Sequence, residues 1–322
     1  NYPFRPHDRG FDNALYHGGG GIGQTPDFWN NDYFDDTYFR NGIPEKFKGY
    51  CTDVWFNETI KYIEDQADKP FFAYLSLNAP HGPFNVPQEY LDMYADANLT
   101  DTQKRFYGMI SNVDDNIGKL LKYLETSEKL ANTILVFTTD NGTAAGIGKK
   151  NGLTTGYNAN LRGTKSSPYE GGHRVPFLIH WPKGNITSKN QKKSNDLVAH
   201  VDILPTFAAL CKLEYTPKNY LDGTDVSQVF QSNTKLEDRM LVVDTQRLQW
   251  PVKDRNSCVM QGEWRLVNGD ELYNIETDIS QTENLSDKFP ERVKNMQAFY
   301  DEWWKSTEAD MHYASTVSYT HL

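Results

Sequence analysis

TILVFTTDNG, Thr133 to Gly142, is the stretch whose reading decides the fold. Ile134 to Phe137 is an apolar run, and it ends abruptly in Thr139, Asp140, Asn141 and Gly142. Coming after a helical segment, such a run predicts a buried parallel strand. Ligands of open α/β sheets bind beyond the carboxyl ends of such strands. Asp140 and Asn141 therefore stand where chemistry is done. A carboxylate beside an amide carbonyl is a hard oxygen pair suited to Ca²⁺ or Mg²⁺. An Asn-Gly turn closing a strand is the plainer alternative, and the stretch alone leaves both open.

Upstream, Thr102 to Leu130 repeats apolar residues at spacings of three and four, from Phe106 and Met109 through Val113 and Ile117 to Leu120 and Leu124, and predicts a helix. Asp114 and Asp115 within it read as a solvated face before they read as an acid–base pair. Before the helix, FFAYLSL (Phe71 to Leu77) is a second strand pattern, ending in Asn78-Ala79-Pro80-His81-Gly82-Pro83. Strand, helix and strand together predict a parallel sheet. They give His81 the same topological position as Asp140. Thr52 to Gln66 is a further helix, with Thr52 as its cap.

Downstream, residues 143–173 carry no period, and a loop of that length inside a domain is a functional hint. Its end gathers Arg162, Lys165, His173 and Arg174 in an acidic protein. A lysine there is a compact donor for a sulfate or phosphate oxygen, and a solvated basic loop is the alternative. Phe177 to Trp181 is a short strand, and Pro205 fits the first turn of a helix ending at Leu210. Beyond residue 215, Met240 to Val243, Cys258 to Gln261 and Trp264 to Val267, with a turn at Asn268-Gly269-Asp270, predict an antiparallel sheet; Arg292 to Trp304 closes as a helix. Residues 1–50 read as a long ordered loop, and HGGGGIG (His17 to Gly23) lacks the Lys-Ser/Thr of a phosphate loop.

The chain has 322 residues and a formal net charge of −10, which excludes nucleic acid as a partner but not a small anion. Its three cysteines, Cys51, Cys211 and Cys258, form neither a disulfide framework nor a CxxC site. No run of about 18 apolar residues is present to span a membrane.

APHGPF (Ala79 to Phe84), TTDNG (Thr138 to Gly142) and RGTKSSPYEGGHRVP (Arg162 to Pro176), in this order and spacing, resemble the formylglycine-dependent (type I) sulfatases of the alkaline-phosphatase superfamily. RPHDRGFD near the start and ELYNIETDISQTENL near the end are similar to family segments too. The resemblance implies an α/β fold, a mostly parallel sheet flanked by helices, with a small C-terminal α+β subdomain carrying an antiparallel sheet. It implies a catalytic domain over residues 1–230 and a C-terminal subdomain over 231–312. It implies hydrolysis of sulfate esters, carbohydrate or aryl. Asp140 and Asn141 would ligate one divalent metal, Ca²⁺ or Mg²⁺, Lys165 would hold the sulfate, and His81 would assist the leaving group. The partners implied are a sulfated small molecule or glycan and a formylglycine-generating enzyme, in the periplasm or outside the cell. A phosphodiesterase or phosphonate hydrolase, or a non-catalytic sulfated-glycan binder, are the alternatives.

The family's paired Asp, its C-x-[PA]-S-R and its G-K-W-H-L-G do not occur in residues 1–322. The expectation is an N-terminally shortened chain without its nucleophile. The tail over 313–322 ends in TVSYTHL, which resembles the translation of a sequencing-library adapter, so Val317 onward is expected not to be natural protein.

Overall fold

The computed structural model describes residues 3–18, 21–22, 32–187, 189, 193–217, 220–232, 234–246, 248 and 250–314. Val317 to Leu322 and part of HGGGGIG lie outside them. The strands are β1 (Leu15–Tyr16), β2 (Thr37–Arg40), β3 (Ile43–Lys46), β4 (Leu135–Thr138), β5 (Ile147–Lys150), β6 (Leu153–Gly156), β7 (Phe177–His180), β8 (Met240–Asp244), β9 (Ser257–Gln261), β10 (Trp264–Val267) and β11 (Glu271–Asn274). The helices are α1 (Cys51–Asp65), α2 (Gln88–Asp92), α3 (Asp101–Thr126), α4 (Glu170–His173), α5 (Ile203–Leu210), α6 (Ser227–Ser232) and α7 (Pro290–Ala314). They fall into two compact units, residues 1–128 with 145–157, and residues 129–144 with the chain from 158 onward.

In the first unit α3 starts where its sequence dictates. The Thr100 hydroxyl accepts the Gln103 N–H at 3.2 Å, and Gln103 Oε1 accepts the Thr100 N–H at 3.0 Å, a reciprocal cap. Its apolar stripe buries Phe106, Met109, Val113, Leu120 and Leu124. On its facing side Asn112 and Asn116 donate to Asp53 of α1 at 2.9 and 2.7 Å. Asp53 lies in the first turn of α1, which begins one residue before the expected cap Thr52 and has Tyr50 as its N-cap. The β5–β6 hairpin lies against α3, with Gln103 Nε2 donating to the Thr155 carbonyl at 2.9 Å and the Tyr107 hydroxyl to Gly146 at 2.6 Å.

Phe71 to Leu77 joins no ladder among the described residues. Leu75 and Leu77 pack on the core, while Phe72 and Tyr74 stay 63% and 72% exposed. An apolar run reports a capacity for burial, and a strand also needs a partner for its backbone.

In the second unit β4 pairs with β7, antiparallel, Leu135 opposite His180 and Thr138 opposite Phe177. All strand pairs among the described residues are antiparallel, so the expected parallel pairing of β4 is not among them. The cause is local. The Gly142 N–H donates to the Gly172 carbonyl at 2.9 Å, which brings the returning chain alongside the end of β4 and sends β7 back down it. The C-terminal sheet, in order β11-β10-β9-β8, is antiparallel as expected. One of its faces buries Val259, Leu266 and Leu272 against Met296, Tyr300 and Trp304 of α7. The α/β class and the alkaline-phosphatase-like architecture hold.

Candidate active site

The end of β4 and the loop at 158–176 are interlocked through glycine. A β-carbon on Gly142 would lie 1.9 Å from the Gly171 carbonyl oxygen, one on Gly171 would lie 2.1 Å from that of Gly163, and one on Gly172 would lie 2.0 Å from that of Ser167. No side chain fits at these crossings, so DNG and EGG are requirements of backbone approach. The Lys165 N–H then donates to the Thr143 carbonyl at 2.9 Å. Asp140, Asn141 and Lys165 thus belong to one folded piece of the second unit. Neither Asn141 nor Gly142 has positive φ, so their pairing is not the type I′ turn that Asn-Gly favours elsewhere.

The side chains divide by their partners. The Asn141 amide nitrogen donates to the Gly142 carbonyl at 3.0 Å, which leaves Oδ1 as its outward acceptor. Asp140 is exposed and receives no side-chain donor among the described residues. The Lys165 ammonium is half-buried and has no hydrogen bond or ion pair among the described residues.

The two arginines of the loop are committed, and its histidine carries no charge. Arg162 donates to the Tyr273 hydroxyl at 3.0 Å and the Gln281 carbonyl at 2.9 Å. Arg174 pairs with Glu170 at 3.0 Å. His173 is held below its ordinary value by burial, which outweighs the pull of Glu170, so at neutral pH it is uncharged. Burial pushes the Glu170 carboxyl up, but Arg265, His173 and Arg174 outweigh it and keep the group below the usual carboxylate range.

Two further groups brace the strand end, and the sequence reading passed over both. His200 Nε2 donates to the Thr139 carbonyl at 2.8 Å, one residue before Asp140. The segment bearing His200 is fixed by Asp202, 2% exposed, which accepts from Arg239 at 2.8 Å, from the Ala199 N–H at 2.8 Å and from the Thr224 N–H at 3.0 Å.

His81 belongs to the first unit and is exposed. It stands between two cis peptide bonds, Ala79-Pro80 and Gly82-Pro83. Its Nδ1 donates to the Gly82 carbonyl at 2.8 Å, so in the neutral ring the lone pair is on Nε2.

As a cation site, Asp140 and Asn141 fit in kind and not in number. Ca²⁺ takes about six to eight hard oxygens, and two side chains here offer them. Among the described residues no group of three or more His, Cys, Asp or Glu could hold a metal.

The sulfatase family profile matches residues 4–213. The uncharacterized sulfatase YdeN of Escherichia coli K12 is 25% identical over 95% of this chain and 58% of its own length. Human N-acetylgalactosamine-6-sulfatase is 30% identical over 54% of this chain and 31% of its own length. The crystal structure of Ps i-CgsB in complex with k-i-k-neocarrahexaose superposes with a TM-score of 0.80 at 28% identity, covering 99% of this chain and 74% of that one. The chain thus spans 58% or less of both curated relatives. With more than half of its residues inside the profile, and a glycine-locked strand end beside a loop lysine, the chain belongs to the sulfatase family.

Proposed function

We propose that this chain carries the metal- and sulfate-holding part of an enzyme that hydrolyses sulfate esters of a carbohydrate. One observation carries the reading: Lys165 is a half-buried ammonium without a partner among the described residues, tied by its backbone to the strand end that bears Asp140 and Asn141. A half-buried cation left unpaired beside two paired arginines, Arg162 and Arg174, is poised for an external anion. The neocarrahexaose bound in the 28%-identical structure favours a sulfated glycan as substrate.

In this reading Asp140 and Asn141 hold one divalent ion through their side-chain oxygens, Ca²⁺ or Mg²⁺. When bound, the ion would neutralise charge on a sulfate oxygen, and a formylglycine, made from a Cys or Ser by its generating enzyme in a C-x-[PA]-S-R context that residues 1–322 do not contain, would supply the attacking oxygen. Lys165 takes a second sulfate oxygen as a point donor. His81, with Nδ1–H anchored on Gly82, offers its Nε2 lone pair to a proton, and the imidazolium so formed delivers that proton from Nε2 to the departing alcohol oxygen. The reaction would take place in the periplasm or outside the cell.

The test uses a gene product that carries residues 1–316 together with a C-x-[PA]-S-R nucleophile segment, co-expressed with a formylglycine-generating enzyme. Sulfated oligosaccharide should be desulfated, and Lys165→Ala should lower kcat/KM by roughly 10²-fold or more, the scale of a lost transition-state donor. Faster turnover of phosphate than of sulfate esters would move the assignment to phosphoryl transfer. The 322-residue chain alone should not release nitrocatechol from its sulfate.

A further inference from the structure

Glu170 takes no part in the chemistry above, yet its carboxylate is 1% exposed. Arg265 of β10 places Nε 2.5 Å from one of its oxygens, and Arg174 places a nitrogen 3.0 Å from the other. Its backbone N–H donates at 2.8 Å to Oε1 of Gln281, itself 0% exposed. Arg265 is held from swinging aside, because its Nη1 donates to the carbonyls of Gly262 and Trp264 at 2.7 and 2.9 Å. At the other end of the loop Arg162 donates to the Gln281 carbonyl and lies 3.7 Å over the Tyr169 ring, while the Tyr169 and Tyr273 hydroxyls both donate to Glu271 of β11, at 2.7 and 2.5 Å.

Between these two anchors lies Lys165, and the backbone around it is not relaxed. Gly163 has φ +82° and Ser166 has φ +71°, a region that a serine leaves unless it is held. Buried ion pairs add little stability over apolar packing, but they admit one geometry.

We propose that Glu170, Arg265 and Gln281 are positioning residues through which the C-terminal sheet sets the loop that presents Lys165 to the anion. The sheet is then a working part of the site. The inference rests on the reading that Lys165 holds sulfate.

The test compares the purified 322-residue chain with Arg265→Met, Arg265→Lys, Glu170→Gln and Lys165→Ala. Amide hydrogen exchange is read at Gly142, Lys165 and Gly171, whose N–H groups donate within the interlock, and at Val259 and Leu266, which face each other across β9 and β10. Sodium sulfate is titrated against sodium chloride at matched ionic strength, followed by amide shifts of the loop. Arg265→Met should speed exchange at the three loop amides at least ~10-fold, leave Val259 and Leu266 within ~2-fold, and weaken sulfate binding; Arg265→Lys should restore part of both. Glu170→Gln keeps the shape and should give a smaller change of the same pattern, which preserves the test if Arg265→Met unfolds. Unchanged loop exchange, or equal acceleration in loop and sheet, overturns the proposal. If Lys165→Ala binds sulfate as well as the parent chain, the role given to Lys165 fails, while the exchange result still decides whether the sheet sets the loop.

Discussion

Gly142 and Gly171 approach so closely that a single methyl group on Gly142 would lie 1.9 Å from the carbonyl oxygen of Gly171. Both partners are backbone, so neither can rotate away. Gly142→Ala should therefore cost about 2–3 kcal/mol or more, at the upper end of overpacking. Gly118, exposed on α3 with nothing within 4 Å of an added β-carbon, is the control. There Ala should stabilise by up to about 1 kcal/mol through helix propensity. Urea midpoints of the two variants should move in opposite directions; a Gly142→Ala chain as stable as its parent would contradict the interlock.

Asp202 and Arg239 form another largely buried ion pair, with side chains 3% and 16% exposed. Arg239→Met leaves the carboxylate with only its backbone donors. We predict a loss of about 3–5 kcal/mol, the cost of stranding a buried charge. Asp202→Asn combined with Arg239→Met should cost less than the sum of the singles, because the two residues are coupled. Denaturant unfolding of the four proteins measures this, and strict additivity would show that the pair is not one unit.

The direction of pH dependence follows from His173, Glu170 and Asp202. All three have folded values below their ordinary 6.5, 4.5 and 3.8, so the unfolded chain binds more protons and stability falls as pH falls. His173 acts first, in the window below 6.5, where its buried ring would have to accept charge facing Glu170, Arg265 and Arg174. Its Nε2 has no hydrogen-bond partner, so His173→Gln loses no side-chain bond there. That variant should flatten the decline of Tm between pH 7 and pH 5.5. The decline below pH 4.5, carried by Glu170 and Asp202, should remain. An unchanged slope in the upper window would remove His173 as its cause.

Metal and turnover should be lost together in Asp140→Ala of a gene product that carries these residues together with the nucleophile segment. His200→Ala, which frees the Thr139 carbonyl, should weaken Ca²⁺ binding roughly 10-fold, as losses of outer supporting groups do. Calorimetry with Ca²⁺ and a turnover assay separate the two effects. Activity lost at full metal content would take Asp140 out of the ligand set.

The sequence announced its helices better than its turns. The α3 stripe and its Thr100 cap are local, and the expected helix from Thr102 appears as Asp101–Thr126. Three Asn-Gly pairs sit at positive φ in hairpin turns, Asn41-Gly42, Asn151-Gly152 and Asn268-Gly269. Only the last was read as a turn. The first two lay in stretches judged to lack a period, although Asn-Gly between short strands is the strongest hairpin signal available. The glycine interlock of the candidate site was legible as motifs, because backbone crossings demand glycine wherever they occur. Its supports were not legible. Glu170 meets Arg265 across 95 residues and Arg162 meets Gln281 across 119, and no local pattern encodes such pairings. Nor does an apolar run announce whether its neighbour runs with it or against it, which is why the antiparallel return of β7 along β4 had no precursor in the sequence reading.

The span between loop and brace also governs the order of manufacture. A nascent polypeptide emerges from its amino end, so when residues 162–176 leave the ribosome, the guanidinium of residue 265 and the amide of residue 281 have not yet been made. Stalled chains ending before residue 265 should be cut by protease within 158–169, and chains released after residue 281 should resist. Lys165 is thus made 100 residues before Arg265 (265 − 165), and its loop waits that long for its brace.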